Sequence, residues 1–234
     1  MTSRPSTRSI LLISPEKESW LDDIGFNLFA TLRASGRCLV EVTTLTDATT
    51  YLTDTGSGAY PIALVTDEAV ATNPALTTSL VHYVTNVGGC VLFCGLFSSL
   101  MRMDALCQCF AVFKKPWTNA SYHRTLFAAT PSALLMAQVG SSSSTSLPKR
   151  YRMKALTLQK VEAAECLYLP APDAKTHSNV FAATSMPPSE SLIALGPCGA
   201  GQVGYVGDAN FEKETTQVIG AIVDRCFTST NGMK

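Results

Sequence analysis

Short apolar runs that alternate with amphipathic segments constrain this chain more than any other feature. Ser9-Ile-Leu-Leu-Ile13 is too short for a stable helix, is apolar on both faces of an extended backbone, and stops at Ser14-Pro15. Such a run reads as a strand covered on both sides. Residues 39–42, Ile62-Ala-Leu-Val65 and Cys90-Val-Leu-Phe-Cys94 repeat the pattern. After the first run, Ser19 and Asp22 stand at capping-box spacing, and Leu21, Ile24, Leu28, Phe29 and Leu32 recur at helical period until Ser35-Gly36. Asp47 is placed to cap a short helix reaching Leu52. Asn73-Pro74 opens a helix whose face carries Leu76, Leu80, Tyr83, Val84 and Val87 before Gly88-Gly89, and another runs from Ser98 or Ser99 to Phe110. Four strand-then-helix units predict right-handed crossovers and an α/β fold: a three-layer sandwich with a mainly parallel central sheet.

The later sequence is less periodic. Residues 114–117 and 122–125 read as loops at the sheet edge, and short extended segments near 166–169, 180–183 and 192–195 predict some antiparallel edge strands. Gly196-Pro-Cys-Gly-Ala-Gly201 reads as a tight turn, residues 202–206 as the last strand, and Val218, Ile219, Ile222, Val223 and Cys226 as the stripe of a closing helix. This predicts a polar, disordered tail over 1–8, one domain over 9–228 and a flexible internal loop over 140–148, where serines cluster.

With 18 basic and 18 acidic side chains, the chain carries no field that would recruit a polyanion, so neither nucleic acid nor membrane is an expected partner. The apolar run at 10–13 is too short for a signal core or a membrane span, which predicts a cytoplasmic protein. The eight cysteines sit mostly inside apolar segments and read as reduced core residues. Cys107-Gln-Cys109 lacks the spacer of a zinc knuckle, and neither GxxxxGK[ST] nor GxGxxG occurs, so no metal and no cofactor is expected.

In an open α/β sheet, ligands bind beyond the carboxyl ends of the strands. That rule selects Ser14 to Glu16, Asp67 with its neighbours Thr66 and Glu68, Cys94 and Gly95, and Asp208, Asn210 and Glu212. Cys94, at a strand-to-helix turn, is the candidate nucleophile: helix amides can lower a thiol's pKa and hold an oxyanion. The competing reading is a buried cysteine that ends a strand. Asp208, Asn210 and Glu212 could bind sugar hydroxyls, or simply cap the turn before the last helix. Arg124 could pair a carboxylate or phosphate, with Trp117 as a pocket wall. Of the three histidines, only His123 is a candidate base for Cys94.

The stretch Tyr83-Val-Thr-Asn-Val-Gly-Gly-Cys-Val-Leu-Phe-Cys-Gly95 resembles the helix, Gly-Gly turn, strand and elbow of the class I glutamine amidotransferase-like superfamily. Gly201-Gln-Val-Gly-Tyr-Val-Gly-Asp-Ala-Asn210 resembles its final strand and loop, in the style of the trehalose-utilisation (ThuA-like) branch. The resemblance implies a flavodoxin-like architecture and aligns Cys94 with the nucleophile. Working glutaminases carry Gly-x-Cys-x-Gly at the elbow and a histidine after the last strand; here Leu92 and Leu96 flank Cys94, and Gly207-Asp208 stands where that histidine falls. The expectation is therefore a non-glutaminase member that binds a small polar ligand or a protein partner at the strand ends. The alternatives are a hydrolase or isomerase for a carbohydrate-like or amide substrate, using Cys94, Asp208 or Glu212, and a non-catalytic scaffold or homo-oligomer packing through helices such as residues 100–110.

Overall fold

In the computed structural model, which describes residues 9–17, 19, 21–53, 60–140 and 147–229, the four apolar runs are strands β1 (Ser9–Ile13), β2 (Cys38–Val42), β3 (Ile62–Val65) and β4 (Cys90–Phe93). They pair in parallel in the order β2-β1-β3-β4. The last strand, β9 (Gly201–Val206), adds in parallel beside β4, with Cys90 opposite Gln202 and Phe93 opposite Tyr205. This half of the sheet follows the doubly wound order of open α/β proteins.

Alternate residues of one strand feed the two faces, as the pleat requires. Ile10 and Leu12 pack with Leu28, Phe29 and Leu32 of α2 (Phe26–Ala34) and with Val218, Ile219 and Ile222 of α9 (Lys213–Ser229). Leu11 and Ile13 pack on the opposite face, with Leu52 of α3 (Leu45–Thr53), Leu76 and Leu80 of α5 (Pro74–His82), and Leu106 and Phe110 of α7 (Met103–Val112). Each such fully buried aliphatic side chain contributes about 1.5–3 kcal/mol of transfer free energy, so covering both faces is what fixes the three layers. No helix among the described residues is long and apolar enough to cross a membrane.

The sheet is less parallel than its first half suggests. Beyond β9 it continues antiparallel through β8 (Ile193–Cys198), β7 (Cys166–Pro170), β5 (Thr118–Ala129) and β6 (Arg150–Gln159), giving nine strands among the described residues. Residues 122–125, expected as a loop, are the middle of β5. Tyr122 and His123 are both exposed, and from there on buried Thr125 and Phe127 alternate with half-buried Arg124, Leu126 and Ala128, the pattern of a strand wetter on one side. A helix with no counterpart in the expected elements, α8 (Pro131–Gly140), follows, with Thr130 Oγ1 accepting from Ala133 N at 3.3 Å and proline in its first turn.

Other boundaries also move. The first expected helix is two pieces, α1 (Leu21–Ile24) and α2, broken at Gly25, and Asp22 pairs with Lys17 at 2.7 Å instead of closing a capping box. Thr44, not Asp47, caps α3: its Oγ1 accepts from Asp47 N at 3.1 Å and donates to the Asp47 carboxylate at 2.8 Å. Asn73, between the short α4 (Ala69–Thr72) and α5, caps α5 as expected, accepting from Leu76 N at 2.9 Å. The helix after β4 is broken into α6 (Phe97–Leu100) and α7 by the extended Met101 and Arg102. Residues 180–183 are a bend at 180 and 181 followed by irregular backbone, not a strand. The expected tail over 1–8 and the serine tract at 141–146 lie outside the described residues.

Candidate functional site at the strand ends

Three successive parallel strands end side by side. Past β1, Ser14 Oγ lies 2.5 Å from Thr66 Oγ1 at the end of β3, a buried hydroxyl pair. Asp67 follows, with one oxygen accepting from Glu16 N at 2.9 Å and the other from Ala69 N at 3.0 Å. Burial pushes this carboxyl up to about 6, while the two amides pull it down. Past β4, Gly95 takes φ +64, and a Cβ there would lie 3.3 Å from the Thr66 side chain, so a left-handed turn against β3 requires glycine.

Cys94 does not stand out on an exposed elbow. Its side chain is fully buried in the layer that also holds Leu92 and Leu96, and its N–H donates to Val65 O at 2.9 Å. Burial pushes its thiol up to about 12, so the thiolate a nucleophile needs is not populated near neutral pH. Among the described residues no histidine is hydrogen-bonded to it. His82, His123 and His177 are all exposed, His123 on β5.

The opposite wall is built by a close crossing of backbones. Gly207 follows β9, and β6 runs across it: Leu156 N donates to Gly207 O at 3.0 Å, Ala209 N to Lys154 O at 3.0 Å, and Tyr205 OH to Leu156 O at 2.9 Å. A Cβ on Gly207 would sit 2.1 Å from Leu156 O, so the crossing excludes any side chain at this position. Asp208, buried beneath it, accepts from Asn210 N at 2.8 Å and from Glu212 N at 2.7 Å, while its own carbonyl accepts from Ser98 Oγ at 3.1 Å. Both carboxylate oxygens are thus occupied in holding the 208–212 turn. Desolvation raises this carboxyl, and the amides only partly oppose it.

That turn presents Glu212 and Asn210 to β5. Arg124 Nη1 donates to Glu212 Oε1 at 3.1 Å, and Nη2 donates to Asn210 Oδ1 in the amide orientation that also lets Nδ2 donate to Ala209 O at 3.2 Å. In this cluster Arg124 and Glu212 are half-buried and Asn210 is exposed. Phe211, between the two turn residues, holds φ +56, and its ring comes 3.4 Å from where a Cβ on Gly95 would be. The cavity left among Gly95, Asp208, Phe211 and Thr215 is about 10 Å³, at most the room of one water molecule.

Gly95 and Asp208 therefore share one small cavity, and Arg124, Asn210 and Glu212 share one polar cluster. Asp67 belongs to neither: its carboxylate is taken up by the amides of Glu16 and Ala69. Trp117 is not a pocket wall: it is fully buried, packed at a tilt against Phe110 with ring centroids 5.1 Å apart, and its Nε1 donates to Glu165 at 3.1 Å. Reasoning from strand ends alone missed Phe211, Ser98 and the β6 crossing, of which only the glycine at 207 left a sequence signal.

A loop over residues 171–191 stands against the same cluster. His177 N donates to Arg124 O at 2.7 Å, and Thr125 Oγ1 to Lys175 O at 2.7 Å. The loop is closed upon itself by Thr176 N to Thr184 O at 2.8 Å and Thr184 N to Thr176 Oγ1 at 2.9 Å. At its tip, Ser178 Oγ accepts from Val180 N and Phe181 N, both at 3.1 Å, and the two side chains are 82% and 77% exposed.

No protein-family model matches the chain, and none of the curated proteins compared with it is similar. Solved structures do match. A ThuA-like protein from Bacteroides uniformis covers 94% of this chain and 91% of its own at TM-score 0.53 and 9% identity. A second, from Parabacteroides merdae, covers 93% and 89% at TM-score 0.54 and 11% identity. The fold is ThuA-like. The same arrangement matches part of a β-galactosidase from the haloarchaeon Halorubrum lacusprofundi, at TM-score 0.52 and 15% identity, where the chain covers 30% of that enzyme's length.

Proposed function

We propose that this ThuA-like chain is a non-glutaminase module of the class I glutamine amidotransferase-like kind, and that it docks a protein partner at the carboxyl-end rim instead of processing a substrate in the crevice. The observation that carries this reading is the filled crevice: Phe211 occupies the space over Gly95, about 10 Å³ remains, and Cys94 lies beneath as a buried thiol. A glutaminase elbow needs an exposed thiolate, a base and an oxyanion pocket. A hydrolase or isomerase built on Asp208 and Glu212 would need carboxylates free to reach a substrate, yet the first is capped by two amides and the second is paired with Arg124.

The rim has the features of a contact surface. Two large apolar side chains stand almost fully exposed on a tip tied by hydrogen bonds, so little ordering entropy remains to be lost on association. Beside them, Arg124, Asn210 and Glu212 supply a polar border of the kind that surrounds apolar interface centres. The partner that fits is a protein with an apolar cleft flanked by polar groups. That the same fold makes up about a third of a longer β-galactosidase chain supports a life as one part of an assembly.

Affinity capture with the immobilised chain tests this. The wild type should retain a specific protein that the Val180→Ser, Phe181→Ser double variant, with an unchanged circular-dichroism spectrum, fails to retain. If the two forms retain the same proteins, or the wild type retains none, the reading fails. Glutamine-dependent ammonia release should not exceed that of Cys94→Ala.

A further inference from the structure

A second cavity lies away from this rim, at the amino end of β9 beside Gln202. It has a volume of about 250 Å³ and is roofed by α8 and α9. Met136, Leu167 and Leu195 give it an apolar floor, and Arg225, Glu162 and Glu165 give it charge. The volume falls just below the range of drug-sized ligand pockets, which sets the guest as a small metabolite.

Glu165 is built into the wall. It is 5% exposed, its Oε1 accepts from Lys115 Nζ and its Oε2 from Trp117 Nε1 at 3.1 Å. It occupies the space that a side chain on Gly196 would fill. A carboxylate offers about four lone-pair positions, so two remain for a guest. Arg225, half-buried, makes no ion pair among the described residues and lines the same cavity. Counting the lining charges with Lys115, two cations face two anions, so the site is electroneutral when empty. A guest with net charge would leave an uncompensated charge in a half-enclosed, partly apolar space, which is costly. A guest that carries one charge of each sign preserves the balance.

We infer that this pocket binds a small zwitterion with an apolar side chain, the chemistry of a free α-amino acid. The carboxylate pairs with Arg225, the ammonium faces Glu162 and the open positions of Glu165, and the side chain lies on Met136, Leu167 and Leu195. Arg is suited to the first role because its fork matches a carboxylate in two bonds. The pocket shares no residue with the Arg124 cluster or the 171–191 loop, so its failure or success is independent of the rim reading.

Titration calorimetry with L-leucine as the probe tests the inference, with 4-methylpentanoate and 3-methylbutylamine as molecules lacking one charge each. Leucine should bind saturably, and each truncated molecule about ten-fold or more weakly, a loss of about 1.4 kcal/mol or greater. Arg225→Gln should weaken leucine by a similar factor. Ala164→Trp, placed on the exposed rim so that the ring fills the mouth without touching the core, should do the same at an unchanged unfolding midpoint. Absence of saturable leucine binding, equal binding of either truncated molecule, or undiminished binding by Ala164→Trp would overturn it.

Discussion

Phe211 is the residue on which the closed crevice turns. A phenylalanine at φ +56 adopts a conformation that costs about 1 kcal/mol or more, and it is held there by Asp208, which captures the amides on either side of it. Phe211→Gly relieves the strain and removes the ring, so it should open the space above Gly95 at little cost in stability. The measurement is the rate of iodoacetamide labelling followed by mass spectrometry: in the wild type Cys38, the exposed cysteine, reacts first and Cys94 hardly at all, whereas Phe211→Gly should accelerate Cys94 by about ten-fold or more. Asp67 makes a second prediction at this scale. Its folded pKa of about 6 lies above the ordinary 3.8, so the native chain holds a proton that the unfolded chain releases between those values. Stability should therefore fall by about 2 kcal/mol as pH rises from 4 to 6.5, with the raised Asp208 acting in the same direction. Urea denaturation across that range should show the slope, and Asp67→Asn should flatten most of it.

Among the elements, the long antiparallel pair β5 and β6 does most to distinguish this chain. It supplies Arg124 to the rim and lays Leu156 across the end of β9, which is why Gly207 has no side chain. Gly207→Ala forces a Cβ into a backbone carbonyl and should destabilise the fold by about 3 kcal/mol, read as a lower urea midpoint with an unchanged slope. The same pair marks where the sequence stopped being legible. β1, β3 and β4 are buried on both faces and announce themselves as apolar runs, and α5 announces itself by Asn73-Pro74. β5 is half wet: Tyr122, His123 and Arg124 in succession break the apolar signal, and alternation is confined to residues 124–128, where buried Thr125 and Phe127 separate half-buried neighbours. So short a period-two stretch, beside charge at the solvent face, carries little signal. The helix α8 was readable from Thr130-Pro131, a cap and first-turn proline that the apolar residues around it obscured.

At the scale of the whole molecule, Lys115 and Glu165 join the segment before β5 to the turn before β7, with side chains 9% and 6% exposed. Glu165→Gln strands a buried ammonium and should cost about 3–5 kcal/mol in chemical denaturation, whereas Lys115→Met with Glu165→Leu should restore much of that loss. Nothing in the sequence pairs residues so far apart. For the same reason the candidate site was only half legible: strand ends could be placed one by one, which brought Gly95 and Asp208 to a shared wall, but the contents of the space between them depend on a tertiary contact of Phe211. The order of the sheet has a further consequence, for biosynthesis. β9 is the joint between the parallel and antiparallel halves, yet it is synthesised after the eight other described strands. Until it inserts, the edge of β4, an unbroken hydrophobic strand, stays open beside an unfinished chain. Such an edge invites pairing with another nascent copy, so this fold should rely on holding chaperones during synthesis, and trapping by them should end abruptly once Val206 is released.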